Sequence, residues 1–337
     1  MTRPLGIGLI GAGRIGQMHA EYLAHRVPDA QVVIVADVVM EAAERCALSC
    51  GASRATRDYR EVLSDPDVQA VLICSATPTH AQIIGDAAAA GKHIFCEKPI
   101  ALDLENIDRA LNAVARAGVA LQIGFNRRFD ANFQRVRHAI ERAEIGQLHL
   151  LHITSRDPAP PPLAYIRESG GIFLDMTIHD FDMVRFLIGG EVEEVYAVGD
   201  VRVDPAIGDA GDLDTAVVVL KCANGAIATI NNSRRAVYGY DQRVEAFGSG
   251  GMIATGNEYL NTAQISTGTH VYQDLPRTFF LDRYTESYIA ELRAFVHAAR
   301  TGQPPPVTGE DGRGALVLGL AALQSYAEKR PVRIAPR

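Results

Sequence analysis

Residues 5–37 read LGIGLIGAGRIGQMHAEYLAHRVPDAQVVIVAD. The first six form an unbroken apolar run, the pattern of a strand buried on both faces. Gly11-Ala-Gly13-Arg14-Ile15-Gly16 follows at once, and the segment from Ile15 to His25 carries a helical pattern. QVVIVAD (31–37) is a second apolar run, and its last residue, Asp37, stands 21 residues after Gly16. A lone G-x-G-x-x-G is weak, because a glycine turn can serve packing alone. Here a strand precedes it, a helix opens from it, and an acid closes the next strand, which together make a dinucleotide fingerprint. The glycines allow a tight turn and close approach of the backbone to a pyrophosphate, and the helix N-terminus presents unpaired N–H groups to its oxygens. Gly11, Gly13, Arg14 and Ile15 are the expected contacts in the turn. Asp37 is placed to accept hydrogen bonds from the adenosine ribose. Its charge opposes the 2′-phosphate of NADP, and Val38, Val39 and Met40 supply no cation, so the expected cofactor is NAD.

The alternation continues outward. A helix is expected over 40–50, a strand over 70–76, a helix after Pro78, strands over 93–96 and 119–125, and a helix over 104–117. Continuous apolar strands separated by helices predict a doubly wound parallel sheet covered on both faces, an α/β domain over 1–123. Residues 124–337 read differently. Asn224-Gly225 between two strand-like runs is a hairpin signal, because both residues tolerate positive φ. QRVEAFGSGGMIAT offers another reversal. Helices are expected near 173–188 and over 284–300, where Tyr288, Ile289, Leu292, Phe295, Val296 and Ala299 follow helical spacing. This half is expected to be an α+β domain with a large, open, mostly antiparallel sheet, and a last helix at about 312–329 to pack near the domain interface. Pro158-Ala-Pro-Pro-Pro162 reads as a rigid loop.

Composition narrows the classes. The chain has 337 residues, 47% of them hydrophobic, which suits about two domains with true cores. Thirty glycines and 16 prolines are too few for a low-complexity chain. The net charge of −7 gives no basic field for nucleic acid or an anionic membrane. No apolar run approaches the roughly 18 residues of a membrane helix. The apolar start is too short for a signal peptide and runs into the glycine motif. Cys46, Cys50, Cys74, Cys96 and Cys222 form no CxxC pair, and an odd, scattered set fits a reducing compartment. Cys46 and Cys50, four apart on a helix, could face a metal, but two small apolar residues on one helix face account for them as well. The expectation is a cytoplasmic protein without a metal.

Ligands of an open parallel sheet bind beyond the carboxyl ends of its strands. Ser75, Ala76, Thr77 and His80 stand at one such end, Glu97 and Lys98 at the next, and Asn126 with Arg127 at the last; all of these but Arg127 are the expected further cofactor contacts. Lys98, followed by a proline that fixes the turn, is placed for chemistry rather than as an ordinary surface lysine. A second cluster is Gly170-Gly171-Ile-Phe-Leu-Asp175-Met-Thr-Ile-His179-Asp180-Phe-Asp182. Asp175, His179 and Asp182 are spaced i, i+4, i+7 and would project from one helix face. A carboxylate four residues from a histidine can hold its tautomer and raise its basicity; a surface ion pair is the plainer alternative. No HxxxH or HExxH supports a metal.

These pieces together resemble the Gfo/Idh/MocA family of NAD(P)-dependent oxidoreductases, nearest to its bacterial inositol 2-dehydrogenases. The resemblance runs the length of the chain. It is carried by GLIGAGRIGQMHA (8–20), ATPTH (76–80), CEKPI (96–100), GFNRRFD (124–130), SRDPAPPPLAYI (155–166) and SGGIFLDMTIHDFDMVRFLIG (169–189). It implies a Rossmann domain followed by a substrate domain whose open sheet makes oligomer contacts, often in a tetramer. It also implies a catalytic set of Lys98, Asp175 and His179. Lys98, Arg127, Asp157, Asp175, His179, Asp182, Tyr240 and Tyr284 would bind substrate, with Tyr238 a rival of Tyr240. The implied reaction is oxidation of a secondary hydroxyl of a cyclic polyol, myo-inositol first, with scyllo- or chiro-inositol or a pyranose aldose as alternatives. A non-catalytic NAD-binding sensor is the rival of another class.

Overall fold

The computed structural model describes residues 3–335. Two compact units divide the chain, one of residues up to Asn126 with Glu286–Leu316, the other of Arg127–Thr285 with the chain from Val317 onward.

The first unit follows the order β1 (Leu5–Ile10), α1 (Arg14–Arg26), β2 (Ala30–Ala36), α2 (Met40–Cys50), β3 (Arg54–Thr56), α3 (Tyr59–Ser64), β4 (Ala70–Ile73), α4 (Thr77–Ala89), β5 (His93–Glu97), α5 (Leu104–Ala117) and β6 (Leu121–Gly124). The six strands form one parallel sheet in the order β3-β2-β1-β4-β5-β6. All six residues of β1 and all four of β4 are buried, as their unbroken apolar composition requires. Helix α5 shows how local sequence sets the ends. Asp103 accepts from the Asn106 N–H at its start, and Gly118, at φ +67, closes it in the left-handed conformation. The strand expected over 70–76 ends at Ile73, which leaves Cys74, Ser75 and Ala76 in the loop at the sheet mouth.

In the second unit a 3₁₀ turn (126–129) leads to α6 (Ala131–Glu141), β7 (Leu148–Arg156), α7 (Leu163–Glu168), α8 (Gly171–Asp175), α9 (Thr177–Ile188), β8 (Val192–Asp200), α10 (Pro205–Asp209), β9 (Thr215–Cys222), β10 (Ile227–Ser233), β11 (Asp241–Gly248), β12 (Gly251–Ala254), the two-stranded ribbon β13 (Gln264–Ser266) and β14 (Val271–Gln273), and α11 (Phe280–Arg283). Helices α12 (Thr285–Thr301) and α13 (Gly309–Glu328) and the short strand β15 (Val332–Arg333) complete the chain. The sheet order is β12-β11-β7-β10-β9-β8-β15, antiparallel throughout except for β7 beside β10. The Asn224-Gly225 turn joins β9 to β10 with Gly225 at φ +88.

Two expectations need correction. The chain does not divide into 1–123 and 124–337, because α12 belongs with the first unit. Its stripe of Leu292, Phe295 and Val296 enters the same core as Leu5, Ile7, Leu9 and Phe95. And the helix expected over 173–188 is broken at Met176. There the His179 N–H donates to Met176 O, three residues back instead of four. The proline stretch is irregular chain, as expected.

Candidate active site

Main-chain geometry builds the nucleotide side of the first unit. Gly11 sits at φ +99, and a Cβ there would come within 2.5 Å of the Cys74 carbonyl carbon. A Cβ at Gly16 would lie 1.9 Å from Gly11 O, so this glycine is demanded by the packing of α1 on the turn. Gly13 differs: a Cβ there would meet nothing within 4 Å. The protein's own packing does not require this glycine, and the space in front of it is what an approaching pyrophosphate would use. Gly13 also precedes α1 with no side-chain cap, so the first N–H groups of a 13-residue helix have no side chain at their head. One carboxylate holds the turn in register. Asp37 accepts from the Ala12 N–H at 2.7 Å through one oxygen and from the Val39 N–H at 2.9 Å through the other. Arg14 is exposed and Ile15 half-buried beside it.

The other strand ends divide into two kinds. Asn126 is buried, and its Nδ2 has no hydrogen-bond partner among the described residues, so it is a desolvated donor that fits a ligand amide. Lys98 is half-buried at the cis Lys98–Pro99 turn, and Ser75 shares a hydrogen bond with Thr79 at 2.7 Å as α4 begins at Thr77 behind Ala76. His80 and Glu97, by contrast, turn their side chains to partners within the protein. The buried His80 ring places Nδ1 2.8 Å from Pro99 O and Nε2 2.9 Å from Ser75 O, and burial pulls its pKa down. It braces two loops of the sheet mouth. Glu97 turns inward, 2.8 Å from His19 Nε2.

Charged side chains build the second unit's cluster. Asp175 and His179 are half-buried on either side of the Met176 break. Asp175 accepts from the Tyr165 hydroxyl at 2.8 Å and from Arg234 at 3.4 Å. Arg234 is 1% exposed and reaches Asp212 at 3.2 Å, while the other Asp212 oxygen accepts from the Ile172 N–H at the start of α8. Asp157 is pinned by its backbone, its N–H donating to Ser233 O and its carbonyl accepting from the Ala236 N–H. Burial pushes its carboxyl up to about 6, with Asp175 adding to the rise and Arg234 and Arg127 opposing it.

Arg127 is buried and donates to Asp180 at 2.6 Å, and Asn232 donates to the other Asp180 oxygen at 2.8 Å. The Arg127 guanidinium also lies 5.9 Å from the Tyr284 ring centre. Tyr240 stands edge-on to Tyr284 at 6.0 Å. Burial pushes the Tyr284 hydroxyl up to about 12, and that hydroxyl has no partner among the described residues. Tyr238 lies elsewhere: its hydroxyl donates to Asp241 at 2.6 Å and accepts from Arg156 at 3.0 Å. Asp182 is a correction. It is 1% exposed, and its two oxygens accept from Arg128 at 2.6 and 2.8 Å, so the stripe's third member is a buried ion pair rather than a substrate contact.

The sequence reading missed Tyr165, Asp180, Asn232 and Arg234. Tyr165 and Asp180 lay inside runs already singled out. Arg234 and Asn232 had no local signal, because the strand pairing of β10 beside β7 is what delivers them.

Among the described residues no helix is long and apolar enough to cross a membrane. The model for the oxidoreductase family with an NAD-binding Rossmann fold (GFO/IDH/MocA) matches residues 5–125, and the model for the GFO/IDH/MocA C-terminal domain matches residues 133–254. A myo-inositol 2-dehydrogenase of Thermotoga maritima is 51% identical over 97% of this chain and 98% of its own length. The crystal structure of a probable dehydrogenase from Thermotoga maritima matches with a TM-score of 0.96 at 51% identity, covering 98% of each chain. The structure of a scyllo-inositol dehydrogenase from Lactobacillus casei with bound NAD(H) and scyllo-inositol matches with a TM-score of 0.93 at 29% identity, covering 99% of this chain and 100% of that one.

Proposed function

Because this chain belongs to the GFO/IDH/MocA family of NAD-binding oxidoreductases, we propose that it oxidises one secondary hydroxyl of a cyclic polyol, myo-inositol, to 2-keto-myo-inositol (scyllo-inosose). One observation carries the substrate. The likeness to a myo-inositol 2-dehydrogenase runs through both units, so it includes the cluster around Asp175 and His179 as well as the glycine turn.

The turn at Gly11 and Gly13, the head of α1 and Asp37 fit NAD, and Asn126 offers its spare donor to the same ligand. NAD, when bound, accepts the hydride from the substrate carbon. The chain's own part is to place the hydroxyl and take its proton. His179 is the base. Asp175 holds the imidazole and stabilises the imidazolium, with Tyr165 and Arg234 fixing the carboxylate. Lys98 donates to the reacting oxygen and lowers the cost of its developing negative charge. Arg127, Asp157, Tyr240 and Tyr284 orient the ring, and the unpartnered Tyr284 hydroxyl supports that role for Tyr284. Tyr240, packed on Tyr284, is preferred to Tyr238, which Asp241 and Arg156 occupy.

The enzyme works in the cytoplasm, a reading supported by five free cysteines. It acts as a homo-oligomer, a tetramer, through the open sheet. There Val198, Val217, Val219, Ile227, Phe247 and Met252 leave between 38% and 52% of their surface exposed. Scyllo-inositol is the second substrate reading, because a full-length structural relative holds it.

The test is NADH formation from NAD with myo-, scyllo- and D-chiro-inositol, D-glucose, L-glucose and D-xylose, with NADP in parallel. Turnover of myo-inositol above the others is expected. Activity on an aldose alone would move the substrate. NAD binding without any turnover would favour a sensor.

A further inference from the structure

In the core of the first unit lies a polar group outside the catalytic set. Glu291 of α12 is 0% exposed, and neither carboxylate oxygen receives a hydrogen bond from any described residue. Its carboxylate, that of Glu97 and the His19 ring each offer an atom within 4.8 Å of the others. His19, also 0% exposed, approaches Glu97 at 2.8 Å through Nε2, its ring edge-on to Phe95 and Tyr288 at 5.3 and 5.7 Å. Gly124 on β6 closes the other side, where a Cβ would come to 3.0 Å from a Glu97 oxygen.

Two carboxylates in an apolar pocket cannot both ionise cheaply. Cys74, Cys96 and His80 also act on the pair; burial raises the two thiols well above their usual range and pulls the imidazole down, so none of the three brings a charge. The charged group that acts on Glu291 is Glu97, which raises its carboxyl further. A metal ion is the other way to satisfy such a cluster. His19 Nε2 already stands 2.8 Å from a Glu97 oxygen, the distance of a direct hydrogen bond, and a metal between the two would have to break that contact.

We propose that Glu97 and Glu291 share one proton, and that this buried acid pair, clamped by His19, is the positioning device of Lys98. The proton on Glu291 gives the Glu97 carboxylate a second donor and removes one buried charge. Glu97 is the last residue of β5, and Lys98 is bonded directly to it at the bend where the strand ends. Fixing Glu97 into the core therefore fixes the direction in which Lys98 leaves the sheet. His80 holds the following turn through Pro99 O. Glu97 and Glu291 are positioning residues, and the inference rests on the reading that Lys98 meets the reacting oxygen.

The experiment compares Glu291→Gln and Glu291→Ala in the full chain. Gln keeps a neutral donor for Glu97, so its kcat should stay within about twofold of the parent. Ala should lower kcat by up to about 10²-fold with little change in KM, the signature of a displaced Lys98. Stability against pH gives a second readout. Burial, with Glu97 beside it, raises the Glu291 carboxyl, so the folded chain holds a proton that the unfolded chain releases above about pH 4.3. Stability falls as pH climbs from there toward the folded value, and Glu291→Gln should flatten that slope. If the Ala variant does not fold, the carbonyl stretch of a protonated carboxylic acid, present in the parent at neutral pH and absent in Glu291→Gln, reads the proton directly. That band is also independent of Lys98. If Lys98→Ala proved fully active the positioning role would fall while the band still reported the shared proton. A Gln variant as damaged as Ala, an Ala variant with unchanged kcat, a missing carboxylic acid band, or one equivalent of tightly bound divalent metal in the purified protein would each overturn the proposal.

Discussion

The two units hold their polar groups in opposite ways. In the nucleotide unit the working surface is backbone. A glycine turn presents main-chain groups, and a single side chain, Asp37, ties the turn's Ala12 N–H to the Val39 N–H beyond β2. In the sheet unit the working surface is side chain on side chain. Arg127 meets Asp180, Arg128 meets Asp182, Arg283 meets Asp130, and Arg234 bridges Asp175 and Asp212, each arginine at or below 10% side-chain exposure. The difference predicts how each fails. A backbone site is damaged by adding an atom, whereas an ion-pair site is damaged by removing one.

The groups assigned to proton handling should show the largest effect, one from each unit. Lys98→Ala and His179→Ala should each lower kcat about 10²–10⁴-fold with the fold intact. Single-turnover hydride transfer measures it, and a His179→Ala enzyme with near-parent kcat would remove that residue from the mechanism. The next effect belongs to the sheet unit alone. Asp180→Ala leaves the Arg127 charge buried without its partner, which should cost about 3–5 kcal/mol in urea unfolding. Replacing both, Arg127→Met with Asp180→Leu, should recover part of that loss. If the single variant were as stable as the parent, the pair would not be buried in solution.

The glycines make the matching test in the other unit. Gly16→Ala drives a Cβ against Gly11 O and should destabilise by about 1–3 kcal/mol. Gly13→Ala meets no protein atom, so its stability should stay within about 0.5 kcal/mol while NAD binding weakens about tenfold or more. Calorimetric titration of NAD alongside thermal unfolding separates the two. Equal losses of stability in both variants would deny that Gly13 is kept open for a ligand.

The same contrast explains what was legible in the sequence. The glycine turn, Asp37 and the alternation of strands and helices depend on neighbours within about 30 residues, the span of one βαβ unit, and spacing encodes such neighbours. Much of the sheet unit's cluster depends on partners far apart in the chain, such as Arg127 with Ser155, 28 residues on, and Arg234 with Asp175, 59 residues back, which no periodicity announces. Asp182 was misread for that reason. Its spacing from Asp175 suggested one helix face, but the break at Met176 separates the two and Arg128, 54 residues away, holds Asp182. Position alone did not show the inward partners of His80 and Glu97. Both stand at the sheet mouth, yet the side chains turn toward Pro99 O and His19. The place of α12 was hidden too, because its apolar stripe says that it packs and not against which sheet.

The smallest expected effect tests whether the sheet unit's charges stay balanced as pH changes. Asp157 titrates at about 6 in the folded chain, raised by burial against the pull of Arg234, and near 3.9 when unfolded. Between those values the folded state holds the extra proton, so Asp157 contributes stability below about pH 4 that is lost as pH rises through 6. Asp157 is half-buried as a residue and two arginines oppose the rise, so the amplitude should be about 1–2 kcal/mol rather than the full value of the shift. Asp157→Asn should leave the fold unchanged and gain stability relative to the parent across that window, then run parallel to it above pH 6. Denaturant midpoints measured in steps from about pH 4 to 8 give the curve. Parallel curves throughout would mean that Arg234 fully offsets the burial of Asp157, and that the sheet unit carries its charges as evenly at this edge as at Arg127 and Asp180.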